Sequence, residues 1–183
     1  MTSLLPASPL LTGSPSHRVD PEATDAELGR LVALARQRGA RTIAVGHGRT
    51  RAARVAAGSL SARWEADGGQ VLATVSWPET AASWLRQATR FAAAAPDIWV
   101  MTGPPVGWAQ LTRRLLASTD WRPDRTLATA AIGTREALDL VGVRRLDGLA
   151  GVAADATTWT VSDGQLIRPA HRPCDSSASF TGR

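Results

Sequence analysis

Between Arg41 and about Ala154 the chain repeats one unit four times: a short apolar segment, a turn of Gly, Pro or polar residues, then an amphipathic segment. A strand followed by a helix returns the chain to the same end of a sheet. The repeat therefore dictates parallel strands joined by right-handed crossovers, an α/β architecture. The expected strands are Thr42–Val45, Val71–Val75, Asp97–Met101, Thr126–Ile132 and Leu149–Ala153. The third is apolar without alternation, as a strand covered on both faces must be. The expected fold is an open, doubly wound parallel sheet of about five strands in flavodoxin-like order, flanked by helices.

Helix signals fill the gaps. Asp20-Pro21-Glu22 reads as an N-cap, a first-turn proline and a first-turn acid, so a first helix opens there. Leu28, Leu31, Val32 and Ala35 share one of its faces, and Gly39 ends it. Further helices are expected over 50–66, 78–95, 106–118 and 135–141. Trp159 to Ile167 reads as two short strands around Ser162-Asp163-Gly164, a C-terminal hairpin. Residues 1–16 read as a flexible lead, 17–168 as one domain and 169–183 as a disordered tail rich in Pro, Ser and polar residues.

Composition narrows the function classes. The 21 basic residues are all arginine and give a net charge of +5, yet they are scattered among acids without aromatic interleaving. Nucleic acid is not an expected partner. The single cysteine, Cys174, excludes a disulfide framework and a cysteine-based zinc site. The apolar N-terminus lacks a positive leader and carries Pro6 and Pro9, so it makes a poor signal peptide; a lipobox cysteine is missing too. No stretch is long enough to insert in a membrane. The chain as written reads as cytoplasmic, and as extracytoplasmic if it is a fragment of a longer receptor. Of His17, His47 and His171, only His47 falls at a strand end, and neither a nucleophile elbow nor a metal-ligand cluster is present. No catalytic residue, metal or cofactor is expected, and the chain reads as a non-enzyme.

In open α/β sheets ligands bind beyond the carboxyl ends of the strands. The loops to inspect are 46–50, 76–78, 102–105 and 131–134. Gly46-His47-Gly48-Arg49-Thr50 joins a strand to a helix start, where free backbone N–H groups favour anions and Arg49 and His47 add donors. The same glycines also suit a tight turn with solvated arginines. Ser76 and Trp77 end the second strand, and Trp77 either stacks on a ligand or caps the sheet edge. Thr102 offers a hydroxyl, and Gly103 with Pro104 and Pro105 shapes the next loop. The ligand-binding set is thus His47, Gly48, Arg49, Thr50, Ser76, Trp77, Thr102 and Gly103. Of the seven tryptophans, Trp64, Trp84 and Trp99 fall where helices pack on the sheet; an exposed subset would mark a covered face.

An ordered series of segments resembles one family. His17 to Asp20, Leu31 to Val45, Trp64 to Val71, Ala95 to Gly103 and Asp147 to Gly151 are similar to the second lobe of type I periplasmic binding proteins, nearest to branched-chain amino acid ABC-transporter receptors. The resemblance spans about residues 17–153 and implies a single solute-binding lobe, the first lobe being absent. It implies small-molecule binding without catalysis, an amino acid among the candidates. Implied partners are a small solute and either a homodimer mate or a separately encoded first lobe. Two departures stand out. Arg51-Ala52-Ala53 replaces an aromatic after strand one, and Ala130-Ala131-Ile132 replaces an acid for a substrate ammonium after strand four. Two alternatives follow from the residues: an interaction or dimerisation module, and a small nucleotide- or anion-binding protein using the Gly46–Thr50 turn.

Overall fold

The computed structural model describes residues 22–169. The expected flexible lead over 1–16, the domain start at 17 and the tail beyond Pro169 lie outside them.

The apolar pattern resolves into two faces of one sheet. In β1 (Thr42–Gly48) and β3 (Ile98–Thr102) successive side chains point to opposite sides. Ile43, Val45, Ile98 and Val100 join one core, with Leu28, Leu31 and Ala35 of α1 (Asp25–Gln37) and Leu60 and Trp64 of α2 (Arg51–Ala66). Ala44, Trp99 and Met101 join the other, with Phe91 of α3 (Leu85–Ala93), Trp108 and Leu111 of α4 (Pro105–Ser118) and Leu138 of α5 (Arg135–Asp139). Unbroken hydrophobicity in these strands is thus the mark of two cores sharing one sheet.

The strand order is β2-β1-β3-β4-β5-β6-β7, with β2 at Gln70–Trp77, β4 at Thr126–Ala128, β5 at Ala150–Val152, β6 at Thr158–Ser162 and β7 at Gln165–Ile167. The first five strands run parallel in flavodoxin-like order. The expected hairpin is present, but it extends the sheet: β6 pairs antiparallel with β5, and β7 with β6. The sheet therefore has seven strands and is mixed, not five and purely parallel. Asp163 and Gly164 both take positive φ, 53° and 70°, which a two-residue turn matched to strand twist requires.

Several boundaries differ from expectation: β1 runs on through Gly48 rather than ending at Val45, β2 reaches Trp77 and α5 ends at Asp139. Helix α1 opens at Thr24, not Asp20, because Thr24 and Glu27 form a reciprocal capping box; Glu22 and Ala23 precede it as irregular chain. Helix α3 opens at Leu85, not Pro78. The stretch before it is held open by Glu79, which accepts from the Gly107 N–H (2.9 Å), and by Trp84 Nε1, which donates to the Pro78 carbonyl (3.1 Å). Strand β4 stops at Ala128, because Thr129 turns the chain: its carbonyl accepts from the N–H of both Ile132 and Gly133. At the opposite end of the sheet, the Asp97 carboxylate accepts from the N–H of Arg41 and Thr42 and from the Thr42 hydroxyl, each at 2.9 Å, clamping β1 to β3. These bonds, the Arg41 N–H first, hold its pKa below the ordinary value.

Tryptophan supplies core rather than surface. Trp64, Trp77, Trp99, Trp108, Trp121 and Trp159 are buried and Trp84 is half-buried, so no exposed subset exists. Gly46 is a consequence of that bulk. A Cβ there would meet the Trp77 ring at 2.7 Å and the Phe91 ring at 2.9 Å. Its role is to admit two rings rather than to make a turn. Gly46→Ala is expected to destabilise the domain by about 1–3 kcal/mol through overpacking. A lower urea midpoint with unchanged slope is the readout; an unshifted midpoint would mean the rings move aside freely.

Candidate functional site

The strand order places the site. β1 leads into α2 on one face of the sheet and β3 leads into α4 on the other, so a crevice opens between their carboxyl ends. A cleft of about 400 Å³ lies there, extending over the end of β4 to the first turns of α1 and α5. Its lining includes Glu27, Thr50, Ala52, Thr102, Gly103, Thr129 and Ala130.

Two glycines set the floor. Gly103 has φ of 141°, and a Cβ on it would meet the Gly48 nitrogen at 2.7 Å. The loops after β1 and β3 can touch only because neither carries a side chain there. Above them Thr102 and Thr129 are both buried, and the Thr129 hydroxyl donates to Thr102 Oγ1 at 3.1 Å.

Of the eight residues expected to bind, Thr50, Thr102 and Gly103 line the cleft. Gly48 lies behind Gly103, packed against Pro104 and Glu79. The other four are not brought to it. His47 Nδ1 lies 2.7 Å from the Gly48 carbonyl, which can only accept, so the ring N–H points back at its own chain. Arg49 is exposed outside the cleft. Ser76 and Trp77 end the edge strand β2, beyond β1, and Trp77 has 0 % exposure, which leaves no ring face for a ligand. Of its two sequence readings, the packing one fits.

The helix starts that suggested an anion site are occupied internally. Thr24, Thr50 and Thr134 each accept from the third N–H of their own helix, at 3.1, 3.3 and 3.1 Å. Glu79 does the same for α4 from the neighbouring loop. These oxygens take one of the free donors that each helix start would offer an incoming anion.

Sequence reasoning missed Glu27. It is 1 % exposed, yet it lines the cleft. Its Oε1 accepts from the Ala130 N–H at 2.7 Å and its Oε2 from the Thr24 N–H at 3.4 Å. Thus α1 delivers a carboxylate to the turn after β4, where Ala130-Ala131-Ile132 carries no acid of its own. The signal was Thr24-Asp25-Ala26-Glu27, the Thr-x-x-Glu spacing of a capping box, overshadowed by Asp20-Pro21. Glu22 and Glu136 add two exposed carboxylates to the same lining, and no basic residue joins them among the described residues. Nor do the described residues contain a group of three or more His, Cys, Asp or Glu able to hold a metal. None of the helices described is long and apolar enough to cross a membrane.

Burial pushes the Glu27 pKa up, and the bonds from Ala130 and Thr24 oppose this only in part. A carboxyl with a raised folded-state pKa binds its proton more tightly when folded. Its contribution to stability is therefore complete below the unfolded value near 4.5 and falls as pH rises through the folded pKa. Glu27→Gln keeps the shape but cannot titrate; its single amide oxygen accepts from only one of the two N–H groups, a loss that is the same at every pH. The melting temperature of wild type minus that of Glu27→Gln should thus be more positive at pH 4.5 than at pH 7.5. A difference that does not change with pH would contradict the raised pKa. The lowered groups Asp97 and Asp124 are common to both proteins and cancel.

Comparison with known proteins gives a likeness of fold. Neither a family model nor a curated protein matches the sequence. Among solved structures, a branched-chain amino acid ABC transporter protein from Rhodospirillum rubrum superposes with a TM-score of 0.59 at 19% identity, over 70% of this chain and 36% of that one. A substrate-binding periplasmic protein from Ralstonia solanacearum gives 0.58 at 16% identity, over 71% and 36%. An extracellular ligand-binding receptor from Rhodopseudomonas palustris HaA2 gives 0.59 at 16%, over 69% and 34%. This chain therefore spans about a third of the length of the structures it matches. It has the α/β fold of part of an ABC-transporter substrate-binding protein.

Proposed function

We propose that this domain binds a small-molecule solute in the cleft at the carboxyl ends of β3 and β4 and performs no chemistry on it. It acts as one lobe of a receptor of the ABC-transporter substrate-binding type, with an amino acid among the candidate ligands. The observation that carries this reading is the cleft itself. It has the size of a small-ligand site, mostly apolar walls and a few convergent polar groups, Glu27, Thr102 and Thr129. The fold places it where open α/β sheets bind. A binding role suits the residues: among the described residues no His or Cys lines the cleft, and Glu27 accepts from two backbone N–H groups. An extracytoplasmic setting belongs to the same reading, as do the periplasmic and extracellular proteins that share the fold. A single lobe covers only part of a ligand, so a second surface completes the site and the lobe alone binds weakly.

A thermal-shift screen of amino acids, short peptides, sugars, nucleotides and simple anions tests this. A ligand that binds only the folded state, at 100 times its dissociation constant, adds about 2.7 kcal/mol. For a domain of this size that is a rise of roughly 5–10 °C. Ala52→Leu, which fills the half-buried cleft wall at the start of α2, should abolish the shift, whereas Arg49→Ala, outside the cleft, should leave it intact. Silence from every class, or a shift indifferent to Ala52→Leu, would overturn the reading.

A further inference from the structure

We infer that the group this cleft selects is an organic cation, a primary ammonium on a short apolar body, with Glu27 as its counter-charge and no basic residue among those described to pair with a ligand carboxylate. The inference rests on the small-solute reading above and specifies its ligand class.

The charge distribution is the first argument. The chain carries 21 basic residues against 16 acidic ones, yet every charged residue lining the cleft among those described is a glutamate. On a basic protein this is a local reversal of sign, and it sits at the one place the fold reserves for ligands. Glu27 is the deepest of the three. A carboxylate has about four lone-pair sites. The N–H groups of Ala130 and Thr24 engage two of them, and no guanidinium among the described residues pairs with the rest. A buried carboxylate without a cation is costly, which is why its pKa rises. An ammonium entering the cleft supplies the missing charge.

The second argument concerns what a ligand carboxylate would meet. It needs donors, and no arginine lines the cleft among the described residues. The third N–H of each surrounding helix already serves Thr24, Thr50, Thr134 or Glu79. An anion would also enter beside Glu27, Glu22 and Glu136, with like-charge repulsion in a partly desolvated site. The ammonium has three donors: Glu27 takes one, and the hydroxyl oxygen of Thr129, next in sequence to Ala130, is an acceptor at hand. Ala52, Ala56 and Ala131 leave an apolar wall for the body.

The test compares four compounds of matched shape against the full chain by titration calorimetry and thermal shift: 3-methylbutylamine, 3-methylbutanol, 3-methylbutanoate and leucine. The amine should bind, the carboxylate should not, and leucine and the alcohol should each bind about tenfold more weakly than the amine. Glu27→Gln should weaken the amine about tenfold, and the rim variant Glu136→Gln about two- to threefold. The four-compound order is read on the wild-type protein, so it stands even if Glu27→Gln folds poorly. If carboxylate or leucine binds as well as the amine, or folded Glu27→Gln binds the amine unchanged, the cation inference fails while the solute reading survives. If all four are silent and another class shifts the midpoint in an Ala52→Leu-sensitive way, the inference fails in the same manner. If nothing binds in either experiment, the solute reading falls and this inference with it.

Discussion

Two-sided burial of β1 and β3 is the constraint from which the rest follows. Each residue of these strands must serve one core or the other, so the strands cannot alternate polar and apolar as a half-exposed strand would. Ile43, Val45, Ile98 and Val100 face α1 and α2, while Ala44, Trp99 and Met101 face α3, α4 and α5. Burying one such large side chain contributes about 1.5–3 kcal/mol, so a slip of one residue, which would exchange the faces, is opposed several times over. The two cores are unequal. The α3–α5 side holds five of the six buried tryptophans, and small residues of the sheet make room for them. Gly46 admits Trp77 and Phe91, and Gly133 and Gly151 both lie against Trp159.

The same arrangement creates the cleft. Helices on opposite faces after β1 and β3 part the chain between them, and the parting is closed underneath by the contact of Gly48 with Gly103. Glu79 and Glu27 occupy comparable positions on its two sides. Each is a carboxylate reaching from one element to a backbone N–H of another, Glu79 to the start of α4 and Glu27 to the turn after β4. They differ in the cavity they line: Glu27 lines this cleft, whereas Glu79 lines a second cavity with Trp84 and residues of α4. One residue, Glu27, thus caps a helix, ties that helix to the turn after β4 and brings a carboxyl group to the cleft.

Legibility in the sequence followed the range of the interactions. Period and composition are local, so the five parallel strands, their order and the hairpin could be read from them. The joining of the hairpin to the sheet could not, because β5–β6 pairing depends on where two distant segments meet. The helix starts at Thr24 and Leu85 were misplaced for a related reason. Asp20-Pro21 and Pro78-Glu79 are sound local start signals, but Glu79 is drawn away by Gly107 and Glu27 is matched to Thr24. Thr50, Thr102 and Gly103 could be placed along the cleft because loops at strand ends are predictable from topology. Trp77 stayed open between stacking on a ligand and capping the sheet edge because alternation along β2 does not reveal which face its last ring takes; the ring is buried.

The fate of the substrate acid shows how far fold and function can part. Scanning Ala130-Ala131-Ile132 for a carboxylate finds none, and on sequence alone the cleft loses its charge. The structure places Glu27, 103 residues earlier in the chain, within 2.7 Å of the Ala130 amide. A binding site needs a charge at a point in space and is indifferent to the element that carries it. Helix α1 can carry it because the capping box fixes the Glu27 side chain at the first turn, where backbone N–H groups favour a carboxylate. The cost of burying that carboxylate is the physical basis of the cation selectivity we propose: a ligand that brings positive charge lowers it.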